Sequence, residues 1–110
     1  MKVYEVSVSM VQVIHEEVVP FVRRDRELLD QLHRASRSVV LNIAEGLGVG
    51  RGKRRDQHFR TALGSAREAM AVIDLAVATG LTGKDTVASA TDCIDHVCAM
   101  LWKLTRHPVD

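Results

Sequence analysis

The sequence predicts an all-α protein folded as an antiparallel up-down-up-down four-helix bundle, and three observations carry that prediction. Apolar residues recur at helical spacing in long stretches of the chain. Hydrophobic residues make up 46% of it but aromatics only 4%, so the core must be built from Val, Ala, Leu and Met, which suit close helix packing. Pro20, a glycine run at 46–52 and Gly80 punctuate the stripes, and connections this short place successive helices antiparallel. One hundred and ten residues form a single domain, 1–110, large enough for a core without disulfide or metal support.

Residues 3–19 carry two patterns. Val6-Ser7-Val8-Ser9-Met10 alternates like a half-buried strand, whereas Val3, Val6, Met10, Val13/Ile14 and Val18 keep helical spacing. Length and the lack of a partner strand favour a helix, which Pro20 ends or kinks. A second helix is expected from an N-cap at Asp25 to about Glu45, with Gly46 as its C-terminal stop. Its core stripe is Leu28, Leu32, Ala35, Val39 and Ile43; Arg23, Arg26, Asp30, Arg34, Arg37 and Leu41 fall on the opposite face.

The next ten residues, Gly46 to Arg55, hold four glycines and four cations. Each glycine costs about 1 kcal/mol against alanine inside a helix, so the chain must turn here. A third helix near 54–79 buries Phe59, Leu63, Ala66, Met70, Ile73 and Val77, while Gly64, Ala71 and Ala78 recur every seven residues and Val72 and Leu75 face away from that stripe. Apolar on more than one face, it needs more than one packing partner. Gly64, unfavourable in a helix, is expected where a neighbouring helix approaches closely. Gly80 closes this helix, Thr82 is the expected cap of a fourth, and Val87, Thr91, Ile94, Cys98, Leu101 and Leu104 form a stripe ending near Arg106.

Net charge is only +1, yet residues 23–67 hold eleven Lys/Arg against five Asp/Glu while the remainder holds four against nine. The middle of the chain is basic and its ends are acidic. The glycine loop fits neither a dinucleotide nor a Walker pattern: no strand precedes it, and Gly52-Lys53 is followed by Arg54 where Ser or Thr is required. Arg51, Lys53, Arg54 and Arg55 suit contact with a nucleic-acid backbone, set against a plainly solvated loop. Arg34 and Arg37 extend a basic stripe along helix two. Arg60 and Arg67 either extend the loop's patch or pair with Asp56, and with Asp74 or Glu68.

Catalytic and metal chemistry find no support in the spacing. His15-Glu16-Glu17 resembles the start of a zinc-protease motif, but position 19 is Val where the second histidine belongs. His33, His58, His96 and His107 lack ligand spacing. Cys93 and Cys98, five apart, stand about 140° apart around a helix and do not pair with each other. Asn42 and Glu45 have structural work to do: Glu45 as a partner of Arg37 or a loop arginine, Asn42 on backbone groups at the turn. No apolar run reaches the ~20 residues of a membrane span, and no signal-peptide pattern opens the sequence. A cytoplasmic protein without cofactor is the expectation.

Gln31-Leu32-His33-Arg34-Ala35-Ser36, Val39-Val40-Leu41-Asn42-Ile43-Ala44-Glu45-Gly46 and Phe59-Arg60-Thr61-Ala62-Leu63-Gly64-Ser65-Ala66-Arg67-Glu68 together resemble a bacterial four-helix-bundle family. It includes proteins encoded in intervening sequences of 23S ribosomal RNA genes and accessory proteins of diversity-generating retroelements. The motif residues Asn42, Ile43, Ala44, Glu45, Gly46, Gly64 and Ser65 carry the resemblance, which covers nearly the whole chain and supports a helix over 3–19. It implies a non-enzymatic, ring-shaped homopentamer and, for the retroelement branch, contact with a reverse transcriptase and its RNA. The function expected is RNA or other nucleic-acid binding through a basic surface; the rival expectation, favoured by the near-zero net charge, is a protein–protein scaffold without nucleic acid.

Overall fold

A computed structural model describes residues 2–106. Five helices follow one another: α1 (Lys2–Glu17), α2 (Val19–Val22), α3 (Arg26–Gly48), α4 (Lys53–Ala78) and α5 (Ala88–Thr105). No strand occurs among the described residues. Residues 6–10 are therefore helical, and the alternation there is a by-product of Ser7, which is buried with Val3 and Met10 because its Oγ donates to the Tyr4 carbonyl at 2.7 Å.

Pro20 ends nothing directly. α1 stops at Glu17, and the proline sits in the first turn of the four-residue α2, where a missing N–H costs no intrahelical bond. Val18, Val19 and Val22 are buried at this corner and plug the core beneath it.

α3 begins as expected: Asp25 has an extended backbone and its Oδ1 accepts from the Leu28 N–H at 3.1 Å. All five residues of its predicted stripe are buried, and its outward arginines and Leu41 are exposed. The expected stop at Gly46 is corrected. Gly46 is helical and buried, and the turn comes later, after Gly48, at Gly50 (φ 76°) and Gly52 (φ 135°), conformations that favour glycine. What Gly46 provides is space: a Cβ there would lie 2.7 Å from Cε1 and 2.9 Å from Cδ1 of Phe59.

Gly64 has the opposite environment. It is exposed, and no heavy atom of a neighbouring element lies within 4 Å of where its Cβ would be. The close approach expected at Gly64 is found within this chain at Gly46.

α4 has two partners, α3 and α5, and α3–α4 is the most extensive pairing of the fold. Its buried set is Phe59, Ala62, Leu63, Ala66, Ala69, Val72, Ile73 and Ala76. Met70 and Val77, expected in the core, are half-buried, because the buried arc is rotated toward the side marked by Ser65, whose Oγ lies 2.8 Å from Ser38 Oγ on α3. Ala62, Ala69 and Ala76 occupy that side at heptad spacing and keep the two helices close. Gly80 (φ 78°) closes α4 as expected: its N–H bonds to the Val77 carbonyl and the Leu81 N–H to the Ala76 carbonyl, satisfying the last turn.

Thr82 does not cap the last helix. Turns continue to residue 87, the Thr82 hydroxyl is buried without a hydrogen-bond partner, and α5 starts after Val87, which offers no side-chain cap. The missing cap comes from a distance: Glu17 Oε1, at the end of α1, accepts from the Ala90 N–H at 3.0 Å. α1 packs against α3 and α5, so each long helix has two long neighbours around one core, in a body 47 × 21 × 20 Å.

Candidate nucleic-acid interface

The loop between α3 and α4 concentrates cations where a helix least accommodates them. Lys53, Arg54 and Arg55 are the first three residues of α4, and its N-cap, Gly52, offers no side-chain cap. The positive end of the helix dipole, the exposed N–H groups and three cationic side chains, joined by exposed Arg51, repel one another locally. Asp56 is the single acidic residue of that turn. An anion is the natural complement of such a surface.

The eight sequence-predicted cations do not form one patch. Arg51, Lys53 and Arg54 are exposed at the loop. Arg55 is half-buried, its guanidinium 5.0 Å from the centroid of the buried Phe59 ring, so it also covers the core. Arg60 reaches α5, where its Nη2 donates to the Thr105 carbonyl at 3.3 Å. Arg67 also faces α5, close enough for its charge to act on Cys98. Arg34 and Arg37 stand on the outer face of α3, and Arg37 lines an apolar groove between α1 and α3 with Val8, Val11, Val40 and Leu41. Fourteen residues separate Arg34 from the end of α3, about 21 Å along the axis.

The motif residues build the α3–α4 joint. Asn42 Nδ2 donates to the Ser38 carbonyl at 2.9 Å and to Ser38 Oγ at 3.1 Å. A carbonyl only accepts, so the amide nitrogen points there and Asn42 Oδ1 faces His58 Nδ1 at 3.3 Å, which therefore carries the hydrogen. Ser65 completes the chain through Ser38. Ile43 is in the core and Gly46 admits Phe59, whereas Ala44, Glu45 and Gly64 are exposed. Asn42 thus bonds a backbone carbonyl within its own helix and a side chain across the joint. Glu45 and Arg37 are both exposed on α3, eight residues or about 12 Å apart along the axis.

Nothing here is arranged for covalent chemistry. The serine hydroxyls meet each other and Asn42, and the imidazole meets Asn42. No group of three or more His, Cys, Asp or Glu among the described residues has metal-binding geometry. Burial pushes both thiols above their ordinary value of 9.0; for Cys93 the carboxylates of Glu17 and Asp92 act in the same direction, while for Cys98 Arg67 acts against it and Asp95 with it. Among the described residues no helix is long and apolar enough to cross a membrane.

Reading the sequence missed three residues. Trp102, Lys103 and Arg106 lie at the end of α5, which the Arg60–Thr105 bond fastens to the second turn of α4. Lys103 and Arg106 belong to the acidic remainder of the sequence, so regional charge counting hides them; the i, i+4 spacing of Trp102 and Arg106 is the signal that reveals them.

The described residues define an all-α protein whose loop between α3 and α4 is rich in cations. A family model described as 23S rRNA-intervening sequence protein matches residues 1–103, and the chain belongs to that family. No curated protein and no solved structure matches the chain.

Proposed function

We propose that the protein is a non-enzymatic, homo-oligomeric RNA-binding bundle of the cytoplasm, with its four long helices in antiparallel up-down-up-down order. The observation that carries this reading is the cluster of cations at the start of α4, where Lys53, Arg54 and Arg55 follow Arg51 and the glycine N-cap Gly52. Placing cations there is locally unfavourable, and a phosphate backbone reverses the sign of every one of those interactions. Membership of a family whose members are encoded within ribosomal RNA genes favours RNA as the polyanion. The resemblance noted in the sequence supports a ring of five copies and, in a retroelement setting, a reverse transcriptase as a further partner.

The groove lined by Val8, Val11, Val40 and Leu41, with Leu41 63% exposed, favours a second reading, a scaffold whose partners are proteins alone. Fluorescence anisotropy with unstructured and duplex RNA at several salt concentrations decides between them. RNA binding requires an affinity that falls steeply with salt, with a log–log slope of about −0.7 per phosphate contact on single strands. Replacing Arg51, Lys53, Arg54 and Arg55 together by serine should flatten that slope. Salt-insensitive or absent binding by the wild type leaves the scaffold.

A further inference from the structure

We infer that Trp102 is a stacking platform for an unpaired base of single-stranded RNA, with phosphates held by the cations around it; the inference rests on the RNA-binding reading above. The indole is 49% exposed on the last turns of α5, next to the buried Leu101 but turned away from the core. Arg106, one turn on, places its guanidinium 5.6 Å from the ring centroid, and Lys103 is exposed beside it. Arg60 crosses from α4 to the Thr105 carbonyl at 3.3 Å, so the turn bearing Trp102 adjoins the helix that begins with Lys53, Arg54 and Arg55.

Charge chooses the occupant. A half-exposed tryptophan suits a protein partner as well as a base, but a protein partner at this junction must bring enough acidic groups to neutralise Arg60, Lys103 and Arg106. A nucleic-acid strand brings one phosphate with each base, which is the pairing of π-face and anion that the surface presents. Duplex RNA hides its base faces in the stack, so Trp102 discriminates in favour of unpaired nucleotides. Stacking tolerates any base, and sequence preference at Trp102 is correspondingly weak.

The sequence contains a single tryptophan, so its emission reports this site alone. Titration of the intact protein with a 12-nucleotide oligoadenylate RNA at low salt should quench that emission along the same isotherm as anisotropy, and a duplex of equal length should bind with far less quenching. Trp102→Ala should weaken oligoadenylate binding about five- to one-hundred-fold while leaving the salt slope unchanged, because no phosphate contact is lost; Trp102→Phe should weaken it less. Unchanged emission with salt-dependent binding intact, or full affinity in Trp102→Ala, overturns the stack and leaves RNA binding standing. A change of oligomer size in Trp102→Ala by light scattering makes the indole a subunit contact and overturns it too. Wild type that binds no RNA removes both readings together.

Discussion

Phe59 occupies the space that a side chain at Gly46 would need: its Cε1 lies 2.7 Å from the position of a Cβ there, and the ring is completely buried. Arg55 lies over that ring, its guanidinium 5.0 Å from the centroid. Gly46→Ala should therefore lower stability by about 1–3 kcal/mol through overpacking, although alanine gains about 1 kcal/mol in helix propensity. Thermal unfolding measures the balance, and a higher melting temperature would mean that α3 and α4 separate at little cost.

Gly64 gives the reverse expectation. With no neighbour within 4 Å inside the chain, Gly64→Ala should stabilise the protein by up to about 1 kcal/mol. Denaturant titration checks it. A loss of stability that depends on protein concentration would locate a contact between copies at this glycine.

Removing Asn42 unravels a chain of hydrogen bonds. Asn42→Ala strands the Nδ1 hydrogen of His58 and weakens the Ser38–Ser65 link, costing about 1–3 kcal/mol for half-buried groups left without partners. A double-mutant cycle with His58→Ala should show coupling of at least about 0.5 kcal/mol. Additive losses would mean that the two residues act independently.

Glu17 serves a helix seventy-three residues away. Glu17→Ala should cost about 0.5–2 kcal/mol, as loss of an N-cap does, and Glu17→Gln less, since its amide oxygen still accepts from Ala90. Hydrogen exchange at the Ala90 amide reports the change directly; unaltered protection in Glu17→Ala would contradict the capping role.

Both thiols should resist alkylation. Burial and neighbouring carboxylates hold Cys93 and Cys98 above 9.0, so the thiolate is scarce at neutral pH and iodoacetamide should label the folded protein more slowly than the unfolded chain. The rate should still be rising at pH 9. A plateau below that pH would show a depressed thiol.

The helices were legible because three of them carry strong apolar periodicity: the α3 stripe is buried residue for residue, and Asp25 caps as its chemistry demands. Boundaries were less so. Gly46 carries the composition of a stop signal, and only the position of Phe59 reveals it as a site of close approach. Thr82 has cap chemistry but the chain passes it in a turn, and the true cap, Glu17, is remote in sequence and invisible to local pattern. The basic loop was legible as charge. The bond that joins the end of α5 to Arg60 on α4 was not, because helix pairing lies outside what regional counting measures.

The bond from Glu17 to Ala90 also bears on the order of events during synthesis. α3 and α4, joined by a tight loop and sharing the widest contact, should pair locally once both have left the ribosome. α1 is made before α5: its end finds its amide partner only when α5 is out, and until then the apolar side of α1, with Val3, Met10 and Ile14, lacks one of its two walls. A nascent chain arrested before residue 88 should protect α3–α4 from protease while leaving α1 open to cleavage.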